Sequence, residues 1–188
     1  IFSHSSSRAL VDHPRNVPDS ILARLPQNGG VVMVTFVTSF ISERLRQHGQ
    51  ARGARFAALR TQFRADSARV VRELAAWDSA NPAPKVTLAE VADHIEHVRK
   101  VAGVDNVGIG SDFDGIEDTI EGLEDVSTFP ALFAELAHRG WTEADLRKLA
   151  GENVLRVIET AEKVAARLHQ ERPASLKTIQ QLDRKNVS

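Results

Sequence analysis

His4, Arg15 and Asp112 are the residues of this chain whose types and positions could do chemistry. His4 closes the apolar run Ile1-Phe2-Ser3 and puts an imidazole at the end of an extended segment. Arg15 lies just ahead of the helix-opening pair Pro18-Asp19. Its planar guanidinium can grip a carboxylate through two parallel bonds, and a helix N-terminus beside it favours the same anion. Asp112 ends the glycine-punctuated run Asn106-Val107-Gly108-Ile109-Gly110-Ser111, where a carboxylate can relay a proton. The chain has no cysteine, which excludes thiol nucleophiles, disulfides and cysteine zinc sites. Any metal must be held by His, Asp or Glu.

Taken singly, each of these residues also has a plain structural reading. A lone histidine after an apolar strand is usually a satisfied packing residue. Arg15 could pair with Asp12 or Asp19 at the surface, and Asp112 with Asp114 could form a polar turn around Phe113. Asp112 is preferred over Asp114 because it stands closer to the strand end. His94 and His97, three apart, lack the spacing of a helical zinc motif and read as helix surface or packing residues. His13 is near enough to His4 to line the same site, whereas His48, His138 and His169 lie in polar surroundings and are expected to be exposed. No base accompanies Ser5, Ser6 and Ser7, so a serine nucleophile is not expected.

The elements that must position these residues alternate in type. Val31 to Val37 is a continuous apolar run behind Gly29-Gly30, Asn106 to Asp112 is a second strand, and Ile1-Phe2-Ser3 reads as the tail of a third. Apolar runs without alternation indicate strands buried on both faces, as in a parallel sheet. Between them, a short helix opens at Pro18-Asp19, a long one carries Phe56, Leu59, Phe63, Val70, Leu74 and Trp77, and Thr87-Leu88-Ala89-Glu90 is a capping box. Ser127 to Arg139 is a further helix, and Thr142 to Asp145 caps a last helical stretch interrupted near Gly151. The architecture is therefore α/β, with His4 and Asp112 at the C-terminal ends of parallel strands. In (β/α)8 barrels that edge carries the chemistry. Three strands cannot close a barrel and would leave unpaired edges, so partner strands are expected outside this chain.

Composition narrows the class further. Hydrophobic content is 42% and charged content 26%, values of a globular chain, and the formal net charge of −1 gives no reason to expect a polyanionic partner. The eight arginines from Arg44 to Arg72 are interleaved with core positions, which fits a solvated helix face and no nucleic acid. The compartment stays open between cytoplasm and export.

Phe2-Ser3-His4-Ser5-Ser6, Arg15-Asn16-Val17-Pro18-Asp19, Val91-Ala92-Asp93-His94, Gly108-Ile109-Gly110-Ser111-Asp112-Phe113-Asp114-Gly115 and Glu121 to Ser127 together resemble the membrane dipeptidase (renal dipeptidase) family. Trp141-Thr142-Glu143 and Asn153 to Val157 extend the similarity, which runs from Ile1 to about Ala165 and is interrupted over 42–85. The resemblance implies a zinc-dependent (β/α)8 TIM barrel that hydrolyses dipeptides through a metal-activated hydroxide, with strands six to eight in this chain. It also implies that His4 is a zinc ligand, that Arg15 holds the dipeptide carboxylate, and that Asp112 acts beside the metal. The family's other ligands of a binuclear zinc centre would lie upstream of Ile1.

Residues 1–168 are thus expected to form the C-terminal portion of one barrel, with an inserted helical stretch at about 42–85 and a polar tail at 169–188. The isolated chain is expected to be inactive, its partners being the dipeptide, the missing barrel portion and a second copy of itself. The alternative is a non-catalytic barrel fragment or assembly partner that needs a separate N-terminal chain.

Overall fold

A computed structural model describes residues 1–183 of the chain. It is a mixed α/β fold dominated by helices. Strand β1 (Val32–Val34) pairs in parallel with β2 (Val107–Ile109), in the register Val32 to Val107, Met33 to Gly108 and Val34 to Ile109. The chain start lies along the other side of β1. Phe2 N–H donates to Val31 O at 2.9 Å, Met33 N–H to Phe2 O at 2.9 Å, and Ser5 N–H to Met33 O at 3.0 Å. Of the three strands expected, two form, and the first segment contributes a parallel bridge of Phe2 to Val32.

Both strands are shorter than their apolar runs. Beyond Val34 the ladder continues only as single bonds, Gly110 N–H to Val34 O at 2.9 Å and Phe36 N–H to Ser111 O at 3.1 Å. The chain start folds over this point. A Cβ on Gly110 would lie 2.0 Å from Ser3 O, so only glycine permits the approach.

Helix α1 (Asp19–Leu22) and helix α2 (Leu25–Asn28) stand where one short helix is expected. Pro26 has no N–H to return to Leu22 O, and the chain breaks there. After α3 (Thr38–Ile41), the stretch expected as one long helix is a hairpin of α4 (Glu43–Gln62) and α5 (Ser67–Ala80). Asp66 accepts a bond from Arg69 N–H at 2.9 Å and so caps a new helix. The apolar spacing from Phe56 to Trp77 therefore belongs to two helices packed on each other, with Leu59 and Val70 buried between them.

Helix α6 (Leu88–Ala102) covers the strands. Its capping box is formed, with Thr87 N–H donating to Glu90 Oε2 at 2.9 Å. Val91, Ile95, Val98 and Ala102 recur on one face and are all buried. Burial of each larger side chain stabilises by about 1.5–3 kcal/mol, and Ile95→Ala would cost about 2–5 kcal/mol. Helix α7 (Phe129–His138) adds Leu132 and Leu136 to this core.

The C-terminal stretch is α8 (Glu143–Arg147), a wide turn over Lys148–Glu152 and α9 (Asn153–Glu171), with the break at Gly151. Asn153 anchors α9 beneath β2, its Nδ2 donating to Val104 O at 2.7 Å and Val107 O at 2.8 Å. Arg156 reaches Gly29 O at 2.8 Å and Asp105 O at 2.7 Å. The expected polar tail begins in the last turn of α9 and includes the short helix α10 (Ile179–Asp183), and its end at 184–188 lies outside the described residues. No helix among the described residues is long and apolar enough to cross a membrane.

Candidate active site

His4 and Asp112 line one cavity of about 450 Å³ at the C-terminal ends of the strands, together with Ser3, Gly110 and the rings of Phe129 and Phe133. His4 is half-buried and held at both ring nitrogens. Nδ1 meets Ser3 Oγ at 2.8 Å, and Nε2 meets Arg15 Nη2 at 2.7 Å. Arg15 is exposed and reaches the cavity through this contact. Its main chain is fixed while its side chain is not enclosed. Arg15 N–H donates to His13 Nδ1 at 3.2 Å, and the guanidinium lies 5.6 Å from the centre of the Phe40 ring.

The loop beneath Arg15 is built on Asn16. Its buried amide accepts from Ser6 N–H at 3.1 Å and donates to Val11 O at 3.0 Å and Phe40 O at 2.8 Å. A buried amide satisfied this way fixes a loop that has no regular structure of its own. His13 stacks on Phe40 with centroids 4.1 Å apart. Its pKa is lowered by burial and then by Arg15, Arg46 and Arg8, all of which disfavour a further positive charge. His13 thus sits beside Arg15 and does not line the cavity of His4.

Asp112 has φ 67°, the only left-handed non-glycine among the described residues. An aspartate tolerates that conformation better than most side chains, at a small cost. It turns the chain out of β2 into a short 3-10 turn over Phe113–Gly115, closed by Gly115 N–H to Asp112 O at 2.9 Å. A Cβ on Gly115 would come within 2.6 Å of Asp112 Oδ1, so this glycine makes room for the carboxylate. Asp114 is exposed and does not line the cavity.

The other histidines separate by environment. His94 is buried and neutral, and burial pushes its pKa down to about 4. Its Nδ1 accepts from Ser7 N–H at 3.0 Å, so Nε2 carries the proton and donates to Ile41 O at 3.1 Å. His97 meets Asp19 at 2.8 Å on the other side of the Arg15 loop. His48 is half-buried against Trp77, with centroids 5.4 Å apart, where exposure is expected. His138 and His169 are exposed. Reasoning from the sequence passes over Ser3, Asn16 and Phe40 as supports. Only the direct adjacency of Asn16 to Arg15 hints at one of them.

Imidazole and carboxylate are the donors zinc prefers in a chain without cysteine. Among the described residues, however, no group of three or more His, Asp or Glu gathers to hold a metal ion. His4 and Asp112 supply the chemistry of part of a donor set and not a closed site.

An imidazole and a carboxylate thus share one cavity at the ends of parallel strands, with an arginine bonded to the imidazole. The chain belongs to the membrane dipeptidase family (peptidase family M19), a family of peptide hydrolases, which it matches over residues 1–172. It is 38% identical over 168 residues to dipeptidase verJ of Clonostachys rogersoniana, covering 89% of this chain and 33% of that protein. Dipeptidase tcpJ of Claviceps purpurea is 36% identical over 166 residues, covering 88% and 30% respectively. The chain thus spans about a third of the length of the curated relatives it matches. Among solved structures, the probable dipeptidase PvdM from Pseudomonas aeruginosa is similar with a TM-score of 0.63 and 30% identity, over 81% of this chain and 42% of that one. A metallopeptidase from Rhodobacter sphaeroides, liganded with a phosphinate mimic of the dipeptide L-Ala-D-Ala, gives a TM-score of 0.59 and 28% identity, over 83% and 34%.

Proposed function

We propose that these residues form the C-terminal part of the active site of a zinc-dependent dipeptidase. The observation that carries the reading is the juxtaposition of His4 and Asp112 on one cavity, with Arg15 hydrogen-bonded to His4. The family match and the dipeptidases among the relatives support peptide hydrolysis. In this reading, the Phe2 segment, β1 and β2 are three neighbouring strands of a (β/α)8 barrel whose remaining strands and metal ligands come from outside residues 1–188.

His4 is assigned as a metal ligand. Zinc, when bound, supplies Lewis-acid polarisation and lowers the pKa of water towards neutrality. Arg15 binds the free carboxylate of the dipeptide, which measures substrate length at that end. Asp112 takes a proton from the attacking water and passes it to the leaving amine.

The test is zinc-dependent dipeptide hydrolysis by a complete barrel that carries these residues. His4→Ala should cost activity by orders of magnitude and His97→Ala should leave it unchanged, while the 188-residue chain alone should be inactive. Zinc-dependent turnover by the verified 188-residue chain, or loss of metal from the His97 variant and not from the His4 variant, would refute the assignment.

A further inference from the structure

Arg8 spends its guanidinium fork on two main-chain carbonyls. Its Nε donates to His13 O at 3.2 Å, and its Nη2 donates to Pro14 O. Pro14 O belongs to the same peptide unit as the Arg15 N–H, and that N–H donates to His13 Nδ1 at 3.2 Å. Both polar groups of the peptide leading into Arg15 are therefore tied to side chains. A peptide unit is planar and stiff, so holding its oxygen and its N–H fixes the plane from which the Arg15 Cα departs. The chain beyond is held as well, by Asn16 N–H to His13 O at 2.9 Å and Val17 N–H to Ser6 O at 2.8 Å. His13 is itself stacked on Phe40, and the main chain of Arg8 is anchored by its N–H to Val17 O at 2.9 Å. Arg8 is half-buried and does not line the cavity of His4.

We propose that Arg8 is a positioning residue for Arg15: by pinning the Pro14–Arg15 peptide it holds the base of the Arg15 side chain ready for a substrate carboxylate before the substrate arrives. This proposal rests on the carboxylate role given above to Arg15. Arg8 acts through the loop and not on the substrate, because its Nε and Nη2 already serve the two carbonyls. The loop needs such a device. From Arg8 to Asn16 it contains no helix or strand, so its order comes from side-chain bonds to its main chain. A loop that had to be ordered during binding would weaken affinity for the carboxylate, and ordering it in the free protein removes that cost. Lysine is a poor substitute at position 8, because a single ammonium lacks the planar fork that spans two neighbouring carbonyls.

The experiment measures kcat and KM on free dipeptides and on their C-terminal amides, in a complete barrel that carries these residues. The proteins are the parent, Arg8→Met, Arg8→Lys, Arg15→Met and the double variant Arg8→Met with Arg15→Met. Arg8→Met should raise KM for free dipeptides about three- to tenfold, the scale of ordering one flexible side chain. Its kcat should stay within about twofold of the parent, and its kinetics on amides should not change, the pattern of lost binding and intact chemistry. Arg8→Lys should fall between Arg8→Met and the parent. In the Arg15→Met background, Arg8→Met should add no further loss, because a residue that acts through Arg15 has nothing left to act on. Equal losses on acids and amides, a fall in kcat, or a full further loss in the double variant would overturn the proposal and make Arg8 a residue of the fold. If Arg8→Met does not fold, Arg8→Lys alone and combined with Arg15→Met decides by the same comparison. Arg15→Met tells the two levels apart: if it leaves the parent's preference for acids over amides intact, the carboxylate role of Arg15 fails; if it abolishes that preference while the Arg8 variants keep the parent's KM, only the positioning role fails.

Discussion

His94 accepts a hydrogen bond from the Ser7 backbone N–H at 3.0 Å and joins positions 87 residues apart. It ties α6 to the segment that carries His4, and through Nε2 to the end of α3 at Ile41. The imidazole is fully satisfied only while neutral, because Nδ1 must keep its lone pair.

Stability should therefore fall on acidification. The folded-state pKa of His94 is pushed by burial from 6.5 to about 4, so between those values the unfolded chain binds the extra proton and the folded chain does not. The contribution is whole above pH 6.5, is lost progressively down to about pH 4, and amounts to about 3 kcal/mol. Urea unfolding of the parent and of His94→Phe across that window checks it. The parent should lose stability over the window, and the variant should be less stable at neutral pH with a flatter profile.

Asp112 combines a left-handed backbone, φ 67°, with a place on the His4 cavity. Asparagine tolerates the same backbone and lacks the carboxylate. Asp112→Asn should melt like the parent, while turnover in the complete enzyme falls about 10²- to 10⁴-fold, the usual worth of an acid–base group. Asp112→Ala should lose the same turnover and also about 1 kcal/mol of stability, through the strain of a left-handed alanine.

Gly110 sets how closely the His4 segment approaches β2. A Cβ there would meet Ser3 O at 2.0 Å, a backbone atom that cannot swing aside. Gly110→Ala should cost about 1–3 kcal/mol and displace His4, whereas Gly49→Ala, in open space on α4, should stabilise by about 0.5–1 kcal/mol. Thermal melts of the two variants make the comparison.

Local signals were readable in the amino-acid order. Thr87 with Glu90 and Thr142 with Asp145 form the capping boxes their spacing announces, and the helix break falls at Gly151. The apolar run from Val31 to Val37 marks β1 but overstates it, because regular pairing ends at Val34, where the chain start closes over Gly110. Periodicity joined Phe56 to Trp77 into one helix, since a hairpin of two helices keeps the same spacing, and the Asp66 cap was the overlooked signal. His94 and His97 look alike in sequence, but one faces the core and the other Asp19. The bond between Arg15 and His4 is tertiary and has no trace in composition or spacing.

The carboxylate recognition proposed for Arg15 would separate a dipeptidase from a general peptidase, and one measurement addresses it. In the complete enzyme, kcat/KM is compared for dipeptides and their C-terminal amides, in the parent and in Arg15→Lys. Lysine keeps the charge but loses the planar fork. The account predicts a loss of about ten- to hundredfold on dipeptides, with the amides already poor and nearly unchanged. Equal losses on acid and amide substrates would contradict it, and would mean that Arg15 serves the fold or the metal site and does not read the carboxylate.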